Sequence, residues 1–513
     1  MAVDNLTRGI LNPTHILLPL VYPLGLTIIL TLLRAIYNIY LHPLRSYPGP
    51  RLWAATEIPY TLAFTSGKSN HTILALHKKY GPVVRVGPSR LSFTHADAWR
   101  DIRGHRRAGE GENPKEESFY SMSRRNIIGA PRDDHTRFRR VLAHGFSASV
   151  MQKQEPLITR YIDQLMDQLN ARSGEAVDMV EWMNFTTFDV IGDLAFGEPF
   201  GSLADGTMHP WIGQIFQSVA QFARIVSARR YFPSLVMFIA RYAPKLLMSG
   251  FALQIEYSTR QVDKRLGLAT SRPDFIDSMS QGGGQGGEKK GVELSHDEIV
   301  HNARMIVLAG SETTATALSN FIFLMCKYPD VQKRLAAEVR EAFADEKDIT
   351  FQAVMGLRYS LAVLDESMRL LPTVPAAFPR VAATGGITVG GNYVPEGTVL
   401  DIFPLAMFRD ARNFVDPDEF VPERWLDDER DARYEADNHA AFQPFSFGPR
   451  NCIGKNLAYV EMRVIIARLI WKFGLEFADK SQESWFDNCL GYNLWNKPPL
   501  MVKLTPRENS TAS

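Results

Sequence analysis

Cysteine is scarce in this 513-residue chain: Cys326, Cys452 and Cys489 are the whole supply, and they lie far apart. No CxxC pair exists, so neither a zinc knuckle nor a disulfide framework can be drawn from them. That usage fits a bulk domain in a reducing compartment. Any metal held by cysteine would be held by a single thiolate. Net charge is equally scant, since 57 Lys and Arg almost cancel 56 Asp and Glu to leave +1. No global electrostatic attraction to nucleic acid survives that balance. Internal repeats are missing, and so is any second Pro/Gly-rich linker of the kind that separates domains.

One low-complexity stretch stands out, at residues 281–290. Gly282, Gly284 and Gly287 reproduce the spacing of a dinucleotide fingerprint. No apolar strand precedes them and Glu288-Lys289-Lys290 follows, so a surface loop is the better reading.

Charge is also absent from residues 16–33, where the chain is apolar apart from Thr27 and Thr31. About 20 apolar residues suffice to span a bilayer, and Pro19 and Pro23 would kink the first half of such a helix. No small-residue cleavage motif follows, which argues against a removable signal peptide. Arg34, Arg45 and Arg51 follow the segment, whereas Asp4 offsets Arg8 before it. The positive-inside rule then puts residues 1–15 in the lumen, an anchor at 16–41 and a cytosolic domain at 42–513. The expected location is the endoplasmic reticulum membrane, crossed once. Asn5-Leu6-Thr7 would be a lumenal glycosylation sequon. Tyr47-Pro48-Gly49-Pro50 stiffens the exit from the anchor.

What the chain does have is helical periodicity, as at 155–169, 211–228, 297–326 and 331–343. Strand-like alternation is confined to short pieces such as 83–86 and 387–394, the latter broken by Gly390-Gly391. A mainly α domain with small β-sheets is predicted, able to bury a large flat cofactor between helices. Ser295 and Glu298 form a capping box that opens a helix running to Lys327, where Tyr328-Pro329 stops it. In its middle stand Ala309, Gly310, Glu312 and Thr313. The glycine would let something flat approach the backbone. An acid and an alcohol in an apolar helix need a reason, because burying them unpaired is costly. The bland alternative has the threonine bonding back to a preceding carbonyl and the glutamate facing solvent.

Near the C-terminus, Phe445-Ser446-Phe447-Gly448-Pro449-Arg450-Asn451-Cys452-Ile453-Gly454 precedes an apolar helix. Gly448 and Gly454 bracket a tight loop, and Cys452 sits just before a helix N-terminus, where backbone N–H groups favour a thiolate. Phe445 can shield it and Arg450 sets a charge beside it. This string resembles the haem-binding signature of the cytochrome P-450 family at every specified position. Ala309-Gly310-x-Glu312-Thr313-Thr314 resembles the family's oxygen-activation motif. Glu366-x-x-Arg369 and Pro422-Glu423-Arg424-Trp425 resemble its buried ion network, and the four motifs come in the family's order.

The resemblance implies the cytochrome P-450 fold preceded by one N-terminal transmembrane helix, and a haem-thiolate monooxygenase. Its cofactor would be haem b (heme b, iron protoporphyrin IX), with Cys452 as proximal iron ligand. Arg139, Arg380 and Arg450 would bind the haem propionates, with His135 assisting where the family often has tryptophan. Ala309 and Gly310 would lie against the haem, and Glu312 and Thr313 would relay protons. Glu366, Arg369 and Arg424 would hold the cysteine loop. The reaction would use O2 and NADPH-derived electrons to oxidise an apolar small molecule. The electrons would come from a separate NADPH–cytochrome P-450 reductase, with cytochrome b5 a second donor, docking near Lys455 and Arg450. Substrate contacts would come from residues 103–128 and 208–248. The segment 41–50 resembles filamentous-fungal members that decorate terpenoids, polyketides or alkaloids. Two alternatives are a thiolate-haem isomerase or dehydratase, and a non-catalytic haem- or sterol-binding membrane protein. Glu312-Thr313 argues against both, since neither needs a proton relay.

Overall fold

The computed structural model describes residues 13–106, 111–268, 274–280 and 294–507. The sequon at Asn5, the lumenal tail and the glycine-rich stretch at 281–290 lie outside the described residues. Helices dominate, as the periodicity predicts. The principal ones are α1 (Pro13–Tyr40), α2 (Arg132–Leu142), α3 (Ala148–Asn170), α4 (Met179–Phe196), α5 (Pro210–Tyr231) and α6 (Pro233–Tyr242). They continue with α7 (Pro244–Leu266), α8 (His296–Lys327), α9 (Pro329–Ala342), α10 (Arg358–Leu370) and α11 (Lys455–Lys472).

α8 crosses the middle of the molecule. It is 32 residues long, about 48 Å at the usual rise. Its capping box is present: Ser295 Oγ accepts from Glu298 N and the Glu298 side chain accepts from Ser295 N. α4 and α7 pack along α8, with α10, α11 and β8 (Phe473–Phe477) against its other sides. α3 starts earlier than its periodicity suggests and carries Pro156 inside, because residues 148–154 add turns ahead of the apolar stripe.

The strands form small sheets at the margins. β1 (Val83–Gly87) and β2 (Arg90–Phe93) make a hairpin, extended by β7 (Val399–Asp401) parallel to β2 and β4 (Arg380–Val381) antiparallel to β7. β3 (Ala176–Asp178), β11 (Met501–Pro506) and β8 form a second sheet. β5 (Ile387–Val389) and β6 (Asn392–Val394) pair across Gly390 and Gly391, at φ +52° and +81°, so the predicted break is a tight hairpin turn. β9 (Leu490–Gly491) and β10 (Trp495–Asn496) close a last hairpin.

α1 is continuous through Pro19 and Pro23, and on its second half Leu26, Ile28, Ile29, Leu30, Leu32 and Leu33 are exposed. Among the described residues, no helix is long and apolar enough to cross a membrane. The predicted spanning segment falls within α1, whose described second half presents an apolar surface.

Candidate active site

The cysteine loop is held in a shape that few residues can adopt. Gly448 sits at φ +78°, and a Cβ there would lie 2.0 Å from the Arg103 carbonyl oxygen, so only glycine fits. Ser446 is also left-handed, at φ +63°, and accepts a hydrogen bond from Arg103 Nη1 at 2.8 Å. Cys452 N donates to Phe445 O at 2.9 Å and closes the loop. Gly454 differs from expectation: its φ is −88°, so the turn does not require left-handed backbone there. Its contribution is a backbone N–H bonded to the Cys452 thiol. The Phe445 ring lies against Tyr459, centroids 5.0 Å apart, on the first turns of α11.

Cys452 is enclosed by protein yet its side chain is accessible. Burial pushes the thiol up, against the Gly454 N–H, Arg139 and Lys455. The loop by itself therefore does not favour a thiolate as the helix-terminus argument expects. Desolvation outweighs it, and a bound metal cation would act in the opposite sense.

α8 is buried from 302 to 325 except at Met305, Leu308, Ala309, Gly310 and Thr313, a patch built on the 305, 309, 313 spacing. One face thus opens onto interior space at the motif. A Cβ on Gly310 would meet Ile191 Cδ1 at 2.8 Å, so the glycine allows α4 to pack close. Thr313 Oγ1 donates to Ala309 O at 2.6 Å, bonding back to the preceding turn. Glu312 is wholly buried rather than facing solvent. Its Oε1 accepts from Lys497 Nζ and, at 3.2 Å, from Thr316 Oγ1, while burial pushes its carboxyl up.

A cationic cluster surrounds His135 on α2. Arg450 donates Nε to Glu112 Oε2 at 2.8 Å and Nη2 to Glu112 Oε1 at 2.5 Å. Arg380 Nη1 bonds Asn113 O at 3.3 Å, and its Nε is buried without a partner. Lys115 Nζ caps the carbonyls of Ile128 and Ala130 at 2.5 and 3.0 Å. Burial, then Arg450 and Arg380, push Lys115 down to about 6. Burial, Arg450, Lys115 and Arg139 push His135 down to about 3. Arg139 itself clamps Asn451, donating to its carbonyl at 2.7 Å and its Oδ1 at 2.6 Å. Three basic side chains, Arg450, Arg380 and Lys115, thus face one carboxylate, Glu112, among the described residues. The paired, partly buried Arg450 offers no surface for a docking partner, which corrects one expectation. Lys455 is exposed.

A second charge cluster lies entirely in the core. Glu366 accepts from Arg369 Nε and Nη2, both at 2.8 Å, and from Arg424 Nε at 3.1 Å. It also accepts from Trp425 Nε1 and Val421 N, each at 2.9 Å. Arg424 pairs further with Asp437. The Trp425 ring rests on Phe442, centroids 4.8 Å apart, three residues before the cysteine loop. Asp437 carries no sequence signal, because it meets Arg424 only through the fold.

The family profile described as Cytochrome P-450 matches residues 47–504. The chain belongs to the cytochrome P-450 family. It is 44% identical to trichothecene C-15 hydroxylase of Fusarium sporotrichioides, over 92% of this chain and 95% of that one. It is 42% identical to cytochrome P-450 monooxygenase astJ of Aspergillus oryzae, over 92% and 94%. Averantin hydroxylase of Dothistroma septosporum is 40% identical, over 96% and 92%. As a cytochrome P-450 the protein is an oxidoreductase, a haem-thiolate monooxygenase that uses O2 and NADPH-derived electrons delivered by a partner reductase. The residues fit that cofactor. An accessible cysteine suits one iron ligand, and three basic side chains with one carboxylate and a bare Arg380 Nε suit two added carboxylates. Lys115, Glu112, Arg103 and Lys497 escaped the sequence reading. The basic and acidic residues of 103–116 were the available signal, but nothing local distinguishes them from a solvated loop.

Proposed function

We propose that Cys452 is the axial ligand of haem b and that Arg380, Arg450, Lys115 and His135 receive its propionates. Arg139 then acts on the loop through Asn451 rather than on a propionate. The observation that carries this reading is an accessible cysteine enclosed in protein beside an uncompensated cationic cluster. When bound, the cofactor supplies oxygen activation at a thiolate-ligated iron. The remaining roles belong to the chain. Gly448, Ser446 and Arg103 keep the loop in register, and the Glu366 network keeps it from shifting. Ala309 and Thr313 line the distal face of α8. Thr313 Oγ1 donates to Ala309 O now and can turn toward a water, while Glu312 holds and releases protons one residue away.

The substrate is an apolar small molecule undergoing hydroxylation or epoxidation in fungal secondary metabolism, of the terpenoid, polyketide or alkaloid kind. Trichothecene C-15 hydroxylase and averantin hydroxylase support this by name. An apolar cluster supports it chemically: Phe119, Val219, Ala223 and Tyr492 are buried together, and Phe119 meets Phe222 at 5.4 Å and Phe378 at 6.1 Å. Apart from Phe378, which precedes β4, these side chains come from the two predicted contact segments and the β9–β10 hairpin.

We further propose a single-pass anchor at 16–41 in the endoplasmic reticulum membrane, with 42–513 cytosolic and Asn5 a lumenal glycosylation site. Exposed Phe232, Leu235, Met237 and Phe238 on and before α6, with Ile58 and Leu62, extend the apolar surface of α1. NADPH–cytochrome P-450 reductase, aided by cytochrome b5, would dock on the cysteine side.

The test is a carbon monoxide difference spectrum of dithionite-reduced microsomes. Wild type gives a strongly red-shifted Soret band that Cys452→Ser abolishes. A band that survives in haem-loaded Cys452→Ser overturns the ligand assignment.

A further inference from the structure

Two of the buried glutamates, Glu366 and Glu312, are held under different terms. Both oxygens of Glu366 are saturated by Arg369, Arg424, Trp425 and Val421. Glu312 is held by one oxygen only. Lys497, 3% exposed, pairs with Oε1 and also donates to Thr316 Oγ1 at 2.7 Å. Glu312 Oε2 is buried with no hydrogen-bond partner. A purely structural ion pair at such depth is favourable only when its remaining lone pairs are satisfied. Leaving one oxygen bare costs stability, and the bare oxygen belongs to the residue beside Thr313.

Lys497 comes from far along the chain. It follows β10, where Trp495 Nε1 donates to Pro372 O at 2.8 Å and fixes the hairpin. The same hairpin contributes Tyr492, Leu490 and Leu494 to the apolar cluster with Phe119, Ala223 and Phe378. One segment thus touches both the apolar cluster and the acid of α8.

We infer that Lys497 is a positioning residue of the monooxygenase reaction: it anchors the Glu312 carboxylate by one oxygen and leaves the other free to pass protons. A proton arriving by water bonds to Oε2 and leaves toward Thr313. Lys497 stays protonated throughout, so the carboxylate returns to its ionised form. The inference rests on Glu312 being the proton relay.

The test uses full-length holoenzyme with its reductase in membranes, as wild type, Lys497→Met, Lys497→Arg, Glu312→Gln and the Glu312→Gln/Lys497→Met double variant. Two rates are compared: NADPH-driven oxygen consumption, and guaiacol oxidation driven by cumene hydroperoxide. The hydroperoxide brings its oxygen already reduced, so that route makes less demand on the relay. Removing the relay should lower the ratio of the first rate to the second by about tenfold or more in Glu312→Gln and Lys497→Met. Lys497→Arg should stay within about threefold of wild type, because a cation still reaches Oε1. Independently of turnover, infrared spectra of the ferric holoenzyme at pH 7 should show a carboxylic-acid C=O band in Lys497→Met. Taken as a difference against wild type, in which the protonated Glu461 cancels, that band should be gained in Lys497→Met and absent in the double variant. If Glu312→Gln lowers the ratio and Lys497→Met does not, the inference about Lys497 fails and the relay stands. If Glu312→Gln itself leaves the ratio unchanged, the relay reading fails first. A parallel fall of both rates in Lys497→Met without the infrared band reduces Lys497 to a structural residue and overturns the inference.

Discussion

The molecule contains two clusters of opposite design, the Glu366 network and the cationic set around His135. In the first, Glu366 and Asp437 balance Arg369 and Arg424, and every one of these side chains is fully buried. In the second, among the described residues, Lys115, Arg380 and Arg450 face Glu112 alone, and the groups yield: burial and like charge push Lys115 to about 6 and His135 to about 3. A balanced cluster is complete as folded and holds the chain. An unbalanced one is waiting for a partner of opposite charge. This contrast separates structure from binding without reference to any motif.

Glu366→Gln attacks the balanced side and should have the largest effect. It leaves Arg369 and Arg424 short of one charge in the core, a change that costs about 3–5 kcal/mol. Thermal unfolding should fall sharply, and the red-shifted carbon monoxide band should disappear through loss of haem. An unchanged melting temperature would show that the two clusters are not different in kind. Arg450→Leu attacks the unbalanced side. Glu112 keeps Lys115 and Arg380 nearby, so the haem-free protein should lose no more than about 1 kcal/mol, while haem retention falls about tenfold or more. Haem transfer to apomyoglobin measures the second quantity, and equal losses in both would break the comparison.

Lys115→Met sharpens it through pH. The lysine is depressed from 10.5 to about 6 in the folded haem-free protein. Between those values the unfolded chain binds the extra proton, so stability rises with pH across the window. The variant should remove that slope, gaining most near pH 6 and nothing near 10.5, as urea unfolding across pH would show. Haem binding should abolish the slope in wild type. The smallest effect concerns Glu461 on α11, whose carboxyl burial pushes up to about 8. Its folded form keeps a proton that the unfolded chain releases above 4.5, so stability falls as pH rises from 4.5 to about 8. Glu461→Gln should match wild type near pH 4.5 and melt a few degrees higher near pH 8. A variant less stable at both values would mean that the acid is paired.

Much of this architecture is legible locally. The Ser295–Glu298 box opens α8, Tyr328-Pro329 ends it, and Gly390-Gly391 turns a hairpin, because caps and turns are written in adjacent residues. Gly448 is legible for the same reason. Where the reading missed, the cause was distance along the chain. Arg139 grips Asn451, 312 positions away, and Gly310 admits Ile191 of α4, contacts that no local pattern announces. Lys497 was not considered, since a lysine between asparagine and proline near the C-terminus has no local mark of function.

The sequence alone therefore determined the reaction class and the residues that carry its motifs: a single cysteine before a helix, an acid and an alcohol in α8, and an i,i+3 ion pair. Those features depend on neighbours within a turn or a loop, and short-range stereochemistry is encoded by short-range sequence. The tertiary structure alone decided which charges are balanced, which oxygen of Glu312 is held, and which residues each arginine meets across the chain. Those outcomes depend on burial and on partners hundreds of residues apart, where desolvation and Coulomb forces act through space and not along the backbone.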